Sequence, residues 1–389
     1  MHAWCFEILA SFGIGVCLSY HLKTRRERWN SPNQMPSRSN SDCSSVIMTL
    51  FAHLFLALCY LIIASTAEVV PRSTFSEVTD FGTNPTNTRM FLYVPSTLVP
   101  DPAIVVGIHG CSGSGEWYYE NSEWASFAEA HGFIVIYPST PYLEWSCWDV
   151  SSAKALNRGG GGNTDSIANM VTFTTSEYSA DPARVFVTGI SSGAMLTNVL
   201  VNAYPDLFAA GIAYAGVPAG CYYSAANVEA EWNVTCATGE SITSGEHWAD
   251  IARDMSPGYD GPRPRMQIYH GDEDEIISPQ NYHETIKQYA ALFGYSVSPV
   301  ETILNSPEAP FTKYIFGPNL TGVVGDGITH SIEFSRPEDL EWFGLTLSRA
   351  TPFPGESSKS VSAKTFDRIR PNLSALFDAI LNTTRNQRL

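Results

Sequence analysis

Apolar residues recur along this chain with two spacings. Short runs rich in Val, Ile, Leu, Phe and Tyr lie at 87–94, 103–109, 133–137, 185–187, 209–214, 265–270 and 312–316. Such runs predict buried strands. The run at 103–109 is almost uniformly apolar, as expected of a central strand covered on both faces. Helical spacing predicts helices at 122–130, from an Asn163 or Thr164 cap to 178, at 192–201, 246–255, 279–293 and 337–345. Trp124, Phe127 and Ala128 face inward in the first of these, and Met195, Leu196, Val199 and Leu200 form one stripe in the third. Residues 142–162 and 216–244 read as loops, and the stretch just after Glu68 as a short linking segment. The four glycines at 159–162 read as flexible packing and not as a phosphate cradle. Strands and helices alternate, which predicts a single doubly wound, mostly parallel sheet with helices on both faces. Chemistry in such sheets gathers beyond the carboxyl ends of the strands.

One junction carries more information than the rest. The strand at 185–187 runs into Gly189-Ile190-Ser191-Ser192-Gly193 and then into the 192–201 helix. A G-x-S-x-G between strand and helix is the setting of a nucleophile elbow in the α/β-hydrolase fold. Ser191 needs a base to take its proton. In this fold the order is Ser, then Asp or Glu, then His. Of nine histidines only His283 and His330 lie late enough. His283 falls inside a helical pattern. His330 ends a glycine-containing loop at 325–330, so His330 is the expected base. Asp272, Glu273 and Asp274 follow the 265–270 strand. Asp274 is the expected acid, with Asp272 as the alternative. The backbone N–H groups of Ser192 and Cys111 are the expected oxyanion donors. His109 reads as a buried hydrogen-bonding residue.

Composition sets the compartment. The chain has 389 residues, 44% of them hydrophobic, enough for one large α/β domain. Its formal net charge of -16 argues against nucleic acid or an anionic membrane as a partner. An apolar run from 50 to 63 ends in small residues, suiting a signal peptide at 48–67 cleaved before Glu68. Residues 1–47 then form an uncertain N-terminal extension. The alternative is a pair of membrane spans that would still deliver the rest outside. Residues 68–345 form the catalytic domain, and 346–389 a linker-like C-terminal tail. Cys5, Cys17, Cys43 and Cys59 precede the cut. Cys111, Cys147, Cys221 and Cys236 remain, with three possible connectivities, of which Cys111–Cys147 and Cys221–Cys236 are favoured. Asn233, Asn319, Asn372 and Asn382 each begin an N-x-S/T sequon.

Several stretches together resemble fungal acetylxylan esterases and type-B feruloyl esterases of carbohydrate esterase family 1, and the related polyhydroxybutyrate depolymerases. They are Ile108-His-Gly-Cys111, the run at 132–139, Cys147-Trp-Asp149, the run at 181–195, Gly216-Val-Pro-Ala-Gly-Cys221, the run at 257–266 and His270-Gly-x-x-Asp274. The resemblance spans about 76–345. It implies a triad of Ser191, Asp274 and His330, and a substrate-binding role for Trp232 at the acyl pocket. Asp272 and Glu273 depart from the Thr and small residue or Pro of many relatives. The expected activity is a secreted, monomeric serine esterase acting on acetylated xylan of plant cell walls, with no metal or cofactor and no stable membrane partner. The rivals are a feruloyl esterase, a polyester depolymerase and a non-catalytic carbohydrate-binding protein.

Overall fold

Ten strands form one sheet in the computed structural model, which describes residues 73–143 and 145–346. In chain order they are β1 (Thr74–Val78), β2 (Arg89–Val94), β3 (Ile104–Ile108), β4 (Ile134–Ser139), β5 (Val185–Ile190), β6 (Ala210–Tyr214), β7 (Arg265–Gly271), β8 (Glu301–Leu304), β9 (Phe311–Gly317) and β10 (Leu320–Gly325). Across the sheet the order is β1-β2-β4-β3-β5-β6-β7-β10-β9-β8. The strands from β4 to β10 in that order pair in parallel. The strands outside them pair antiparallel.

The helices are α1 (Gly115–Asn121), α2 (Trp124–His131), α3 (Ala153–Leu156), α4 (Asn163–Tyr178), α5 (Ser192–Ala203), α6 (Val234–Ala237), α7 (Gly245–Asp254), α8 (Gln280–Phe293) and α9 (Pro337–Phe343). They cover both faces of the sheet. Alternate residues of β3 and β5 feed two cores. Ile104, Val106, Val185 and Val187 join Ile167, Leu196 and Ile286 of α4, α5 and α8. Val105 and Phe186 join Trp124 and Ala128 of α2 and Phe343 of α9. Two-sided burial is what makes these strands uniformly apolar. This is the α/β-hydrolase fold.

Several expectations change. The stretch after Glu68 contains β1, an edge strand whose Phe75 stacks on Phe91 and Tyr119, with ring centroids 5.1 and 4.1 Å apart. The loops at 142–162 and 216–244 each enclose one short helix, α3 and α6. Of glycines 159–162, two are held by close approach: a Cβ on Gly160 would lie 2.5 Å from the Lys154 carbonyl oxygen and one on Gly162 2.6 Å from the backbone of Ala155, whereas Gly159 and Gly161 have positive φ of 72° and 84° and open space. The amides of Gly159 and Gly161 donate to Asp165, at 3.1 and 2.8 Å. The extension at 1–47, the signal segment at 48–67, their four cysteines, all but the first residue of the 346–389 tail, Asn372 and Asn382 lie outside the described residues. Among the described residues, no helix is long and apolar enough to cross a membrane.

Candidate active site

Ser191 sits between β5 and α5 with φ 56° and ψ -123°. A non-glycine residue there is strained, so its surroundings must hold it. Its N–H donates to the carbonyl of Tyr214 at 2.9 Å, and its carbonyl accepts the N–H of Met195 at 3.0 Å. The flanking glycines are required by close approach. A Cβ on Gly189 would lie 2.4 Å from the Gly193 carbonyl oxygen, and one on Gly193 2.3 Å from that of Ile108.

Two other strand ends supply the partners. Nε2 of His330 lies 2.9 Å from Oγ of Ser191, and Nδ1 lies 2.8 Å from Oδ2 of Asp274. The other oxygen of Asp274 accepts the N–H groups of Ile276 and Ile277, at 3.0 and 2.9 Å. Burial alone would raise the Asp274 carboxyl. Hydrogen bonds from His270 and His330 outweigh it and hold the group well below the usual carboxylate range. An ionised carboxylate only accepts, so Nδ1 of His330 carries the proton and Nε2 is free to accept from the serine hydroxyl. The arrangement can therefore withdraw a proton from Ser191.

The neighbouring candidates do other work. Oδ1 of Asp272 accepts the N–H of Gly327 at 2.7 Å, tying down the loop that carries His330. The N–H of Glu273 donates to the carbonyl of Ile328 at 3.0 Å. His283 is exposed on α8, with its ring edge-on to Tyr282.

The end of β3 closes the other side. A Cβ on Gly110 would lie 3.2 Å from that of Ser191. Among the described residues, neither the Cys111 nor the Ser192 N–H donates to a backbone carbonyl. His109 is fully buried; its Nδ1 donates to the carbonyl of Gly110 at 2.7 Å, and its Nε2 accepts the N–H of Thr140 at 3.2 Å. Burial pushes this imidazole down to about 4, so it is neutral and holds two loops together. The Cys111–Cys147 disulfide and a 2.7 Å bond from the Ser112 N–H to the Trp145 carbonyl brace the same corner.

Sequence reasoning missed two buried groups. Nε2 of His270 donates to the Ile277 carbonyl at 2.9 Å and lies 3.3 Å from the shared Oδ2 of Asp274. Its position four residues before the acid was the available signal. Asp149 is fully buried and accepts from Ser151, Ser152 and the N–H of Ala230. It joins the 147–152 loop to the one carrying Trp232. Asp followed by two serines at the second and third positions is a local capping pattern that could have disclosed it. Trp232 is partly buried and edge-on to Tyr222, 5.6 Å between centroids, in the loop closed by the Cys221–Cys236 disulfide.

The family model described as esterase PHB depolymerase matches residues 89–299. The chain belongs to this esterase family. The match includes Ser191 and Asp274, while His330 falls beyond it. The esterase is 55% identical over 281 residues to a probable acetylxylan esterase A of Aspergillus flavus, covering 72% of this chain and 91% of that one. It is 57% identical over 272 residues to acetylxylan esterase A of Emericella nidulans, covering 70% and 89%. Among solved structures, it resembles an acetyl xylan esterase from Aspergillus awamori with a TM-score of 0.69 and 53% identity, covering 70% of this chain and all of that one (100%).

Proposed function

We propose that this esterase is secreted and removes acetyl groups from xylan through an acyl-enzyme on Ser191. The observation that carries the reading is the unbroken line from Ser191 Oγ through the His330 ring to Asp274. The names of the relatives supply the substrate. Ser191 Oγ attacks the ester carbonyl and its proton passes to Nε2 of His330. Asp274 stabilises the imidazolium and fixes its tautomer. The tetrahedral oxyanion takes the spare N–H groups of Ser192 and Cys111, each worth about 3–4 kcal/mol. His330 then protonates the departing sugar oxygen as the C–O bond breaks. Water attacks the acetyl-serine and gives a proton to His330, and as the C–Oγ bond breaks His330 passes that proton to Ser191 and acetic acid leaves.

Ser191→Ala should lower p-nitrophenyl acetate turnover by at least about 10⁴-fold with the fold intact; retained turnover would overturn the mechanism. Feruloyl ester cleavage is a second reading, favoured by Trp145, which is 37% exposed on the braced corner beside a Tyr142 hydrogen-bonded to Glu229. Comparing acetate release from acetylated xylan with methyl ferulate hydrolysis separates the two. Trp232 is assigned to the acyl pocket. Residues 48–67 act as the signal peptide, 68–345 as a monomeric catalytic domain and 346–389 as a tail. Asn233, Asn319, Asn372 and Asn382 are the glycosylation sites. The two disulfides support an oxidising compartment. N-terminal sequencing of the secreted protein should read from Glu68.

A further inference from the structure

A cleft of about 360 Å³ opens at the end of the sheet opposite Ser191. It lies where β7 and β10 begin, roughly 20 Å along the strands from Asp274. Arg253, Tyr259, Asp260, Arg263, Phe293 and Asn319 line it. Its size is that of a small-ligand site.

The chemistry of the walls is mixed in a particular way. Arg263 is half-buried and donates to the side-chain oxygen of Asn202 at 3.2 Å, and no carboxylate among the described residues pairs with it. Arg253 is paired with Glu246 and Asp250, at 2.6 and 2.7 Å. Asp260 adds a further carboxylate to the lining. An anionic occupant would therefore meet one carboxylate in the lining, and one of its two arginines already neutralised by two others. A neutral polyhydroxylated one is suited throughout. Its hydroxyl and amide oxygens accept from Arg263, its hydroxyls donate to Asp260, and its apolar face rests on Tyr259 and Phe293.

The cleft also holds an acceptor for such a molecule. Asn319 begins the sequon Asn319-Leu320-Thr321. Its carbonyl accepts the N–H of Met266 at 2.8 Å, whereas its side-chain amide takes no hydrogen bond among the described residues. The other described sequon differs. The amide oxygen of Asn233 caps α6 by accepting the N–H of Cys236 at 3.1 Å, and its nitrogen donates to the carbonyl of Cys221 at 3.4 Å. A sugar tethered at Asn319 faces the cleft at high effective concentration, because the link itself holds it there.

We propose that Asn319 carries an N-linked glycan whose first sugars fill this cleft. The inference rests on export of the chain. The glycan joins the loop before β7, the end of α8 and the turn before β10, and so stabilises the foot of the strands that bear Asp274 and precede His330. It leaves the chemistry at the other end unchanged.

The test uses the full chain behind a foreign secretion signal in a eukaryotic host, with the same chain lacking that signal as a separate check on export. Mass spectrometry of the Asn319 peptide should show a glycan. Peptide-N-glycosidase should release it from the folded protein roughly tenfold more slowly than from Phe293→Ala or Arg263→Gln, the factor that about 1.4 kcal/mol of packing supplies. Asn319→Gln should keep kcat/KM on p-nitrophenyl acetate and lose about 3 °C of melting temperature. An unmodified Asn319 in protein delivered by the foreign signal would overturn the proposal. So would release from the unaltered protein as fast as from both cleft variants. Failure of export without the foreign signal would strike the secretion reading alone.

Discussion

Two carboxylates of this esterase are equally hidden and behave oppositely. Asp274 is 4% exposed and Asp339, in α9, is 0% exposed. Asp274 is held well below the ordinary range, while burial pushes Asp339 up to about 7. The difference lies in the donors. Asp274 collects two backbone N–H groups, His330 and His270. Among the described residues, Asp339 receives only the Tyr214 hydroxyl and the N–H of Arg336, and its other oxygen has no partner. The Arg336 guanidinium is turned away to Glu308 and Glu333. Burial sets the sign where donors are few; where they converge, they reverse it.

The comparison can be broken in three places. The largest expected effect is that of Asp274→Asn. The amide keeps an acceptor for Ile276 and Ile277 but cannot hold Nδ1–H of His330 as a carboxylate does. A loss of about 10⁴-fold in kcat follows, on the scale seen when a triad acid is neutralised. Steady-state kinetics with an unchanged circular dichroism spectrum would check it.

The second effect is on stability. Between 3.8 and about 7 the unfolded Asp339 has released its proton and the folded one has not. Its contribution is therefore complete below 3.8 and is lost progressively from there up to about 7, by at most about 4 kcal/mol. Asp274 has the opposite sign: its contribution is present above 3.8 and lost on acidification. Denaturant unfolding of Asp339→Asn across pH 4–8 should lack the decline between pH 4 and 7. An unchanged slope would mean that Asp339 is ionised in the fold.

The smallest is that of His270→Asn. Removing one donor from Oδ2 of Asp274 should lower kcat by about tenfold, with KM little changed. The acid limb of the kcat profile should shift with it, which a purely structural defect would not cause.

Much of this was legible beforehand, for a definite reason. Burial on both faces favours apolar-rich runs, so β2 to β7 could be read from the pattern of the sequence. Edge strand β1 could not. Its half-exposed residues look like a linker until Phe75 meets Phe91 and Tyr119. β10 was overlooked because Gly322 and Gly325 interrupt its run, and Gly322 leaves the space that Tyr282 occupies. The glycines around Ser191 were readable because a sharp turn is a local steric matter. His270 and Asp149 were not, because what makes them matter is which distant donors and acceptors surround them.

The sequence by itself determined the alternation of strands and helices, the turn at Ser191 and the order in which serine, acid and histidine occur. These follow from local sterics and from the periodicity of burial. Only the tertiary structure decided that Asp274 meets His330 while Asp272 holds the loop at Gly327. It alone left the Cys111 N–H without a backbone acceptor among the described residues, and made one buried carboxylate a strong acid and the other a weak one. Those outcomes depend on hydrogen-bond partners brought together from 56 and 139 residues apart along the chain, and such meetings have no local signature.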